Sequence, residues 1–122
     1  MPAIVPTTVD VSPSGDGSAF IASWGPCAAG DTCNPVSFPK HNDVSFQVAG
    51  TISGSTFTLQ GSNDGNNYIG LRDPTSTAIS FTAADIKAVL EHTRYVKPVI
   101  TGGTASAIFI TMLFYFGNPN RT

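Results

Sequence analysis

Hydrophobic and polar residues alternate along the middle of the chain with the two-residue period of a β-strand. Phe57 and Leu59 alternate with polar neighbours, and Val44, Phe46 and Val48 repeat the same pattern. Successive side chains of a strand point to opposite faces of its sheet, so this alternation places the apolar residues on one face. Each segment is therefore predicted to be a strand with one buried face.

Turn-forming residues separate these segments from further apolar runs. Residues 61–67 read Gly-Ser-Asn-Asp-Gly-Asn-Asn, which is typical of the turn of a β-hairpin. Additional strands are predicted at residues 19–24, 78–81, 95–101 and 105–116. Because a sheet with one apolar face must cover that face, the pattern predicts an all-β, antiparallel β-sandwich.

One segment has the pattern of a helix instead. Thr82 and Asp85 have the spacing of a capping box, in which each side chain accepts a hydrogen bond from a free backbone N–H group. Apolar residues then recur at positions i, i+3 and i+4 from Ile86, which gives a helix one apolar face. A short helix is therefore predicted at about residues 83–91.

The first third of the chain differs in composition from the rest. Residues 1–43 hold six of the nine prolines, and proline removes a donor from the hydrogen-bond ladder of a sheet. We expect an extended Pro/Gly-rich N-terminal arm over residues 1–43 and a sandwich body over residues 44–122, together one domain. A disordered tail is the alternative, but Trp24 and Phe38 favour an ordered arm because disordered segments are poor in aromatic residues.

The segment 105–116 is apolar on both of its faces. Alternate residues from Ile108 to Phe116 form one apolar face, and Phe109, Leu113 and Tyr115 form the other. A strand with two apolar faces is either covered on both sides or takes part in a contact between subunits. If the first face packs in the core, Phe109, Leu113 and Tyr115 are predicted to mediate self-association.

Composition narrows the class of protein. Charged residues are only 11% of the chain and the formal net charge is −2, whereas charged residues are about 25% of a typical soluble domain. Nucleic-acid binding requires a basic field, so no nucleic-acid partner is expected. The run 107–116 is too short to span a bilayer, and the N-terminus lacks the pattern of a signal peptide. We therefore expect no membrane partner and a soluble protein made in a cytoplasm.

Few residues suggest chemistry. Cys27 and Cys33 enclose a five-residue loop, and two alternatives stay open for them: a small disulfide or a pair of partly buried free thiols. His41 and His92 do not complete a recognised zinc pattern with these cysteines, and no nucleophile elbow or phosphate-binding loop is present. We therefore expect no catalytic, cofactor or metal site, and no enzyme.

Several segments together resemble a family of virion proteins. The turn Gly61-Ser62-Asn63-Asp64-Gly65, the predicted helix 83–90 and the segments 94–99 and 101–104 are similar to capsid cement (decoration) proteins of tailed bacteriophages. The resemblance covers about residues 44–116. It implies a jelly-roll type of sandwich, no cofactor, and attachment to the outer surface of a phage head, where the protein staples neighbouring capsid subunits.

The resemblance also implies partners and a location. The partners would be the major capsid protein and other copies of this chain, as a homodimer or homotrimer. The protein would be made in the host bacterial cytoplasm and would end on the capsid surface of the virion. Trp24, Pro26, Pro35 and Phe38 are the expected capsid contacts in the arm.

Two alternatives remain open at this point. The first is another virion part, such as a tail, neck or head-fibre component. The second is a discoidin-like carbohydrate-binding module, because a Gly-Ser-Asn-Asp-Gly turn followed by an aromatic residue also occurs in such sandwiches. That module would use Asn63, Asp64, Tyr68 and Arg72 near the tip of the hairpin.

Overall fold

A computed structural model describes residues 3–12, 19–37, 43–91 and 93–115 of the chain. Phe38, His41, His92 and Phe116 lie outside the described residues. The strands are β1 (Ala3–Ile4), β2 (Thr7–Asp10), β3 (Ala19–Cys27), β4 (Thr32–Cys33), β5 (Asp43–Thr51), β6 (Thr56–Ser62), β7 (Ile69–Gly70), β8 (Ser80–Phe81), β9 (Asp85–Ala88), β10 (Tyr95–Thr101) and β11 (Ser106–Tyr115).

Most of these strands belong to two antiparallel sheets. The larger sheet has five strands in the order β2-β3-β11-β5-β9, so β11 lies between β3 and β5. The smaller sheet has four strands, in which β6 pairs with β10, β7 and β8. The short strands β1 and β4 pair in parallel. The predicted all-β sandwich is confirmed, whereas the jelly-roll type stays a prediction.

The core lies between the two sheets. Trp24, Phe46 and Ile110 of the larger sheet and Phe57 and Leu59 of the smaller sheet are fully buried there. These apolar residues recur at every second position of their strands, which is why one face of each sheet is buried. The hydrophobic effect on this area is the main stabilising contribution to the sandwich.

An aromatic pair joins the two sheets. The rings of Phe46 on β5 and Phe81 on β8 are stacked, with their centroids 5.3 Å apart. Centroid distances of about 4.5–7 Å are favourable for aromatic pairs. Lys87 lies on β9, at the edge of the larger sheet, and its ammonium group is 5.7 Å from the centroid of the Phe81 ring. Part of the contact between the sheets is therefore aromatic.

The predicted helix at about 83–91 is wrong. Residues 85–88 form the edge strand β9, which pairs with β5 between Val48 and Ser45. The Asp85 carboxylate accepts a hydrogen bond from the backbone N–H of Ile86 and does not cap a helix. A two-turn helix is marginal on its own, whereas pairing with β5 satisfies backbone groups along a sheet edge. The described residues contain no helix.

The separate N-terminal arm is corrected for residues 19–27. The predicted strand there extends to Cys27 and pairs with β11 from Ala19 to Trp24. Strand β2 in turn pairs with β3 and forms an edge of the same sheet. Proline is tolerated in this arrangement because Pro26 lies where the register between β3 and β11 shifts, so no regular ladder bond is lost. These residues are part of the sandwich body.

A buried serine connects two loops at one end of the sandwich. The Ser55 hydroxyl is fully buried, donates a hydrogen bond to the carbonyl oxygen of Gly102 at 2.7 Å, and accepts one from the backbone N–H of Ala105 at 3.2 Å. The position that a Cβ atom of Gly103 would take lies 2.2 Å from the Ser55 nitrogen. Only glycine therefore fits at position 103, and the two loops can approach closely.

Candidate interaction surface

The two faces of β11 lie as the sequence predicts. Ile110 and Met112 are fully buried in the core, and so are the other core-facing residues Ile108 and Phe114. On the opposite face, Phe109, Leu113 and Tyr115 are 52%, 39% and 38% exposed. These three apolar side chains therefore lie on the outside of the larger sheet.

Neighbouring strands extend this outer side of the sheet. Residues that pair directly across antiparallel strands share a face, so the residues paired with the exposed positions of β11 also point outward. We call this set the outer face. It comprises Thr7, Val9, Ala19, Ile21, Ser23, Asp43, Ser45, Gln47, Ala49, Ile86, Ala88, Phe109, Thr111, Leu113 and Tyr115.

The outer face is almost free of charge and carries apolar residues on each side of β11. Asp43 is the one charged residue in the set defined above. Val9 and Ile86 are more than half exposed, at the two edges of the sheet. Phe109 lies on the central strand between them, so exposed apolar side chains occur from one edge of the sheet to the other. A folded monomer normally covers an outward sheet face with charged and polar side chains, so this composition is typical of an interaction surface.

Sequence reasoning missed the contributions of Val9, Ile21 and Ile86 to this surface. Val9 and Ile21 belong to the segment that was expected to form an arm, and they join the face only because β2 and β3 pair with β11 in series. Ile86 was assigned to the apolar side of the predicted helix. The sequence did carry a signal for a strand here, because the apolar Val9 stands between the polar residues Thr8 and Asp10.

A groove of about 390 Å³ lies at one end of the outer face. Leu113, Tyr115 and Val89 line the groove, and so does Asp43, the charged residue of the outer face. Ser45, with its small side chain, is also among the lining residues. Small side chains beside large ones make a depression in a sheet surface, so the groove is a consequence of the cross-strand pairing.

Phe109 projects at the other end of the same strand. The register between β11 and β5 shifts between Ser106 and Phe109, and Ala107 has a positive φ of 55°. Ile108 and Phe109 keep the regular alternation of the strand, with Ile108 in the core and Phe109 pointing outward. The Phe109 ring lies over Gly25, where a Cβ atom would come within 2.7 Å of the ring carbon Cδ1. A glycine at position 25 therefore makes room for the ring.

A second groove, of about 460 Å³, lies beside the hairpin turn that follows β6. The Asp64 carboxylate accepts hydrogen bonds from the backbone N–H groups of Asn66 and Asn67 and from the Ser62 hydroxyl, all at 2.8–2.9 Å. Those backbone hydrogen bonds, from Asn67 and then Asn66, hold the pKa of Asp64 well below its ordinary value of 3.8. This turn is confirmed as a tightly ordered element.

The side chains proposed for carbohydrate binding are engaged within the chain. Arg72 forms an ion pair with Glu91. The Asn63 side-chain oxygen accepts a hydrogen bond from the backbone N–H of Arg94 at 3.1 Å. The Tyr68 ring is covered by the ammonium group of Lys97, 4.2 Å from its centroid. A sugar site needs donors, acceptors and an aromatic face that are open to the ligand, so this arrangement does not favour a carbohydrate module.

Cys27 and Cys33 are both buried and both free thiols in the structure. Of the two alternatives left open by the sequence, the structure has the pair of free cysteines. A hydrogen bond between the thiols lowers the pKa of Cys27 and raises the pKa of Cys33, and burial raises the pKa of Cys33 further. The turn between them is held by the Asp31 carboxylate, which accepts a hydrogen bond from the Ala28 N–H at 2.9 Å.

The residues expected to contact a capsid are not brought together as one exposed cluster. Trp24 is fully buried, and its indole N–H donates a hydrogen bond to the carbonyl oxygen of Asn34 at 2.8 Å. It is therefore a core residue, and its assignment as a partner contact is corrected. Pro26 and Pro35 are exposed, while Phe38 lies outside the described residues.

Comparison with known proteins adds no relative. No protein-family model, no curated protein and no solved structure matches this chain.

In the described ranges, no three His, Cys, Asp or Glu side chains are grouped so that they could hold a metal ion. No helix able to cross a bilayer is found in the part of the chain that the structure describes.

Proposed function

We propose that this chain is a structural assembly protein that associates with copies of itself through the outer face of its larger sheet. The observation that carries the proposal is the exposure of Phe109, Leu113 and Tyr115 on a sheet face with a single charge, Asp43. Burying such a face removes apolar area from water without desolvating many charges, which makes association favourable. The proposal assigns no reaction to the protein.

Within this class, we propose capsid decoration as the specific role. It follows from the resemblance of residues 44–116 to phage cement proteins, and the outer face supplies the self-contact that such a role requires. Pro26 and Pro35 are the exposed residues that we retain as capsid contacts. A weak contact repeated over many copies is sufficient for decoration, because linked binding events raise the effective affinity.

Self-association is tested by measuring the mass of the full chain over a range of concentrations by sedimentation velocity and light scattering. We expect a multimer that a charge in the middle of the outer face dissociates. The variant is Leu113→Asp, and a buried unpaired charge should weaken association on the order of 100-fold. Ile69→Asp is the matched control, because Ile69 is 69% exposed and lies on the smaller sheet. A chain that is monomeric at every concentration would refute the proposal.

Decoration is tested separately by co-sedimentation with shells assembled from the major capsid protein encoded in the same genome. We expect saturable binding in a fixed ratio to capsid subunits. If the chain self-associates but never co-sediments with shells, the proposed capsid role is refuted and the proposed self-association still stands. A glycan array serves as the specificity control, and we expect no binding there because the polar groups beside the hairpin are engaged within the chain.

A further inference from the structure

We propose that two copies of this chain pack their outer faces about a two-fold axis at Thr111, so that Phe109 of each copy packs on Leu113 and Ile21 of the other. This inference rests on the proposed self-association and specifies its geometry. The axis would run across the strands, and the two copies of β11 would lie antiparallel to each other. Each interface would then contain the same contact twice, as a two-fold axis requires.

The pairing register supplies the row of residues along this axis. Thr111 pairs with Ser23 on one side and with Gln47 on the other, and Gln47 pairs with Ile86. These residues lie side by side across the sheet and point outward. A two-fold axis along this row places each of them opposite its own copy. The row is mostly polar with small or uncharged side chains, so it does not force like charges together.

Phe109 and Leu113 lie at equal distances from that row. Phe109 and Leu113 are each two residues from Thr111 on the same face of β11, or about 7 Å along the strand on either side. A half-turn about the row therefore exchanges the positions of Phe109 and Leu113. The ring of Phe109 in one copy then lies over Leu113 of the other and over Ile21, which pairs with Leu113 on β3. A two-fold axis parallel to the strands would instead place Phe109 over itself and Leu113 over itself.

The apolar neighbours of Phe109 favour the first arrangement. Phe109 is the most exposed of the three apolar residues of β11 on this face, and its ring lies over Gly25 on β3. Because the half-turn places β3 of one copy over β3 of the other, the ring meets Leu113 and Ile21, which pair side by side. An exposed aromatic side chain that becomes buried against apolar neighbours is the usual form of an energetic hot spot at an interface.

Charge and area identify a second copy as the occupant. A face with one charged residue, Asp43, is complementary to a face of the same composition, whereas a partner with many charges would have to desolvate them against it. Five strands about 4.8 Å apart, paired over roughly seven residues of about 3.4 Å, cover on the order of 600 Å² per copy. Two copies would bury on the order of 1,200 Å², the lower end of the range for stable interfaces.

Single cysteines and a short bis-maleimide cross-linker test this geometry in the full chain. The sites are Phe109→Cys, Thr111→Cys and Leu113→Cys, and stacked sheets lie about 10 Å apart, within reach of the reagent. We expect Thr111→Cys to cross-link to its own copy. We also expect a mixture of Phe109→Cys and Leu113→Cys chains to yield a cross-linked heterodimer, while the Phe109→Cys chain alone does not cross-link.

The chain without substitutions is the control for the native cysteines. Cys27 and Cys33 are 1% and 3% exposed, so the folded protein should give no cross-linked product. Cross-linking of Phe109→Cys to itself would overturn the inference, since it requires an axis parallel to the strands. A chain that is dimeric by light scattering but gives no product at any of the three sites would also overturn it, and self-association would then stand without this geometry. A monomeric chain would overturn both.

A second variant checks the role of the ring itself. Phe109→Ala should weaken the dimer on the order of 100-fold or more, because the two-fold interface loses the aromatic anchor twice and each loss costs at least about tenfold. Ile69→Ala removes a large exposed side chain from the other sheet and should leave the dimer unchanged. Equal effects of the two substitutions on the dissociation constant would contradict the packing of Phe109 on Leu113 and Ile21 of the other copy.

Discussion

The Ser55 hydroxyl holds two loops together at one end of the sandwich, and we expect the stability of the fold to depend on it. It donates to the Gly102 carbonyl oxygen at 2.7 Å and accepts from the Ala105 N–H at 3.2 Å, so it joins loops 47 and 50 residues apart in sequence. The Ser55→Ala variant removes both hydrogen bonds and keeps the size of the side chain almost unchanged. Ala105 is buried, and water cannot easily replace the lost acceptor of its N–H group.

The expected loss follows from these two bonds. Each hydrogen bond contributes about 1 kcal/mol net, so the substitution should lower the free energy of unfolding by about 2 kcal/mol. The loss should be somewhat larger if the buried Ala105 N–H group is left without an acceptor. For a chain of this size, about 2 kcal/mol corresponds to roughly 6–10 °C in Tm. The loss should appear without a change in the dependence on denaturant, because the area exposed on unfolding stays the same.

Urea denaturation followed by tryptophan fluorescence is the appropriate assay, because Trp24 is buried in the folded state. Ser106→Ala is the matched control: Ser106 lies nearby at the start of β11 and is exposed. Its effect should stay within about 0.5 kcal/mol. If Ser55→Ala is no more destabilising than Ser106→Ala, the hydroxyl does not connect the two loops and the reasoning is refuted.

Two further predictions concern the thiols and the hairpin turn. Cys27 and Cys33 should react with a thiol reagent only after unfolding, giving two thiols per chain; fewer than two in the unfolded, unreduced protein would indicate a disulfide. The lowered pKa of Asp64 means that its carboxylate stabilises the fold above pH 4 and that this contribution is lost as the pH falls below about 4. Asp64→Asn should therefore flatten the decrease of Tm between about pH 4 and pH 2, and an unchanged decrease would contradict this assignment.

Several strands of the body could be predicted because each of these has a local signal. The alternation at Phe57 and Leu59 and the segment 95–101 correspond to β6 and β10, and the two-faced pattern of 105–116 predicted which side of β11 is buried. In each case one face of the strand packs against the core, so every second residue of the strand is apolar.

The segment 83–91 was misread because its signal is short and ambiguous. Apolar residues at Ile86, Val89 and Leu90 fit a helical face over two turns, but four residues of edge strand need no burial pattern at all. Pairing with β5 decided the outcome, and that pairing is not local. Trp24 was misplaced for a related reason, since its burial follows from the pairing of β3 with the last strand.

The sequence alone could not predict which residues come together to form the groove and the outer face. The wall at Leu113, the small residue Ser45 and the projecting Phe109 lie on strands whose order in the sheet is β3-β11-β5. Sequence gives the face of each strand, but not its neighbours, and a surface made by cross-strand contacts depends on both.

The position of β11 between β3 and β5 also has a consequence for the synthesis of the chain on the ribosome. Strands β3 and β5 emerge long before residues 106–115, yet each pairs with β11 and not with the other. Until β11 leaves the exit tunnel, the larger sheet cannot close, and two strands with apolar faces have unpaired edges. Because such edges are sites of aggregation, we expect the nascent chain to depend on chaperones until β11 has emerged. The emergence of β11 from the exit tunnel, rather than hydrophobic collapse of the residues before it, would then set the time at which this sandwich forms.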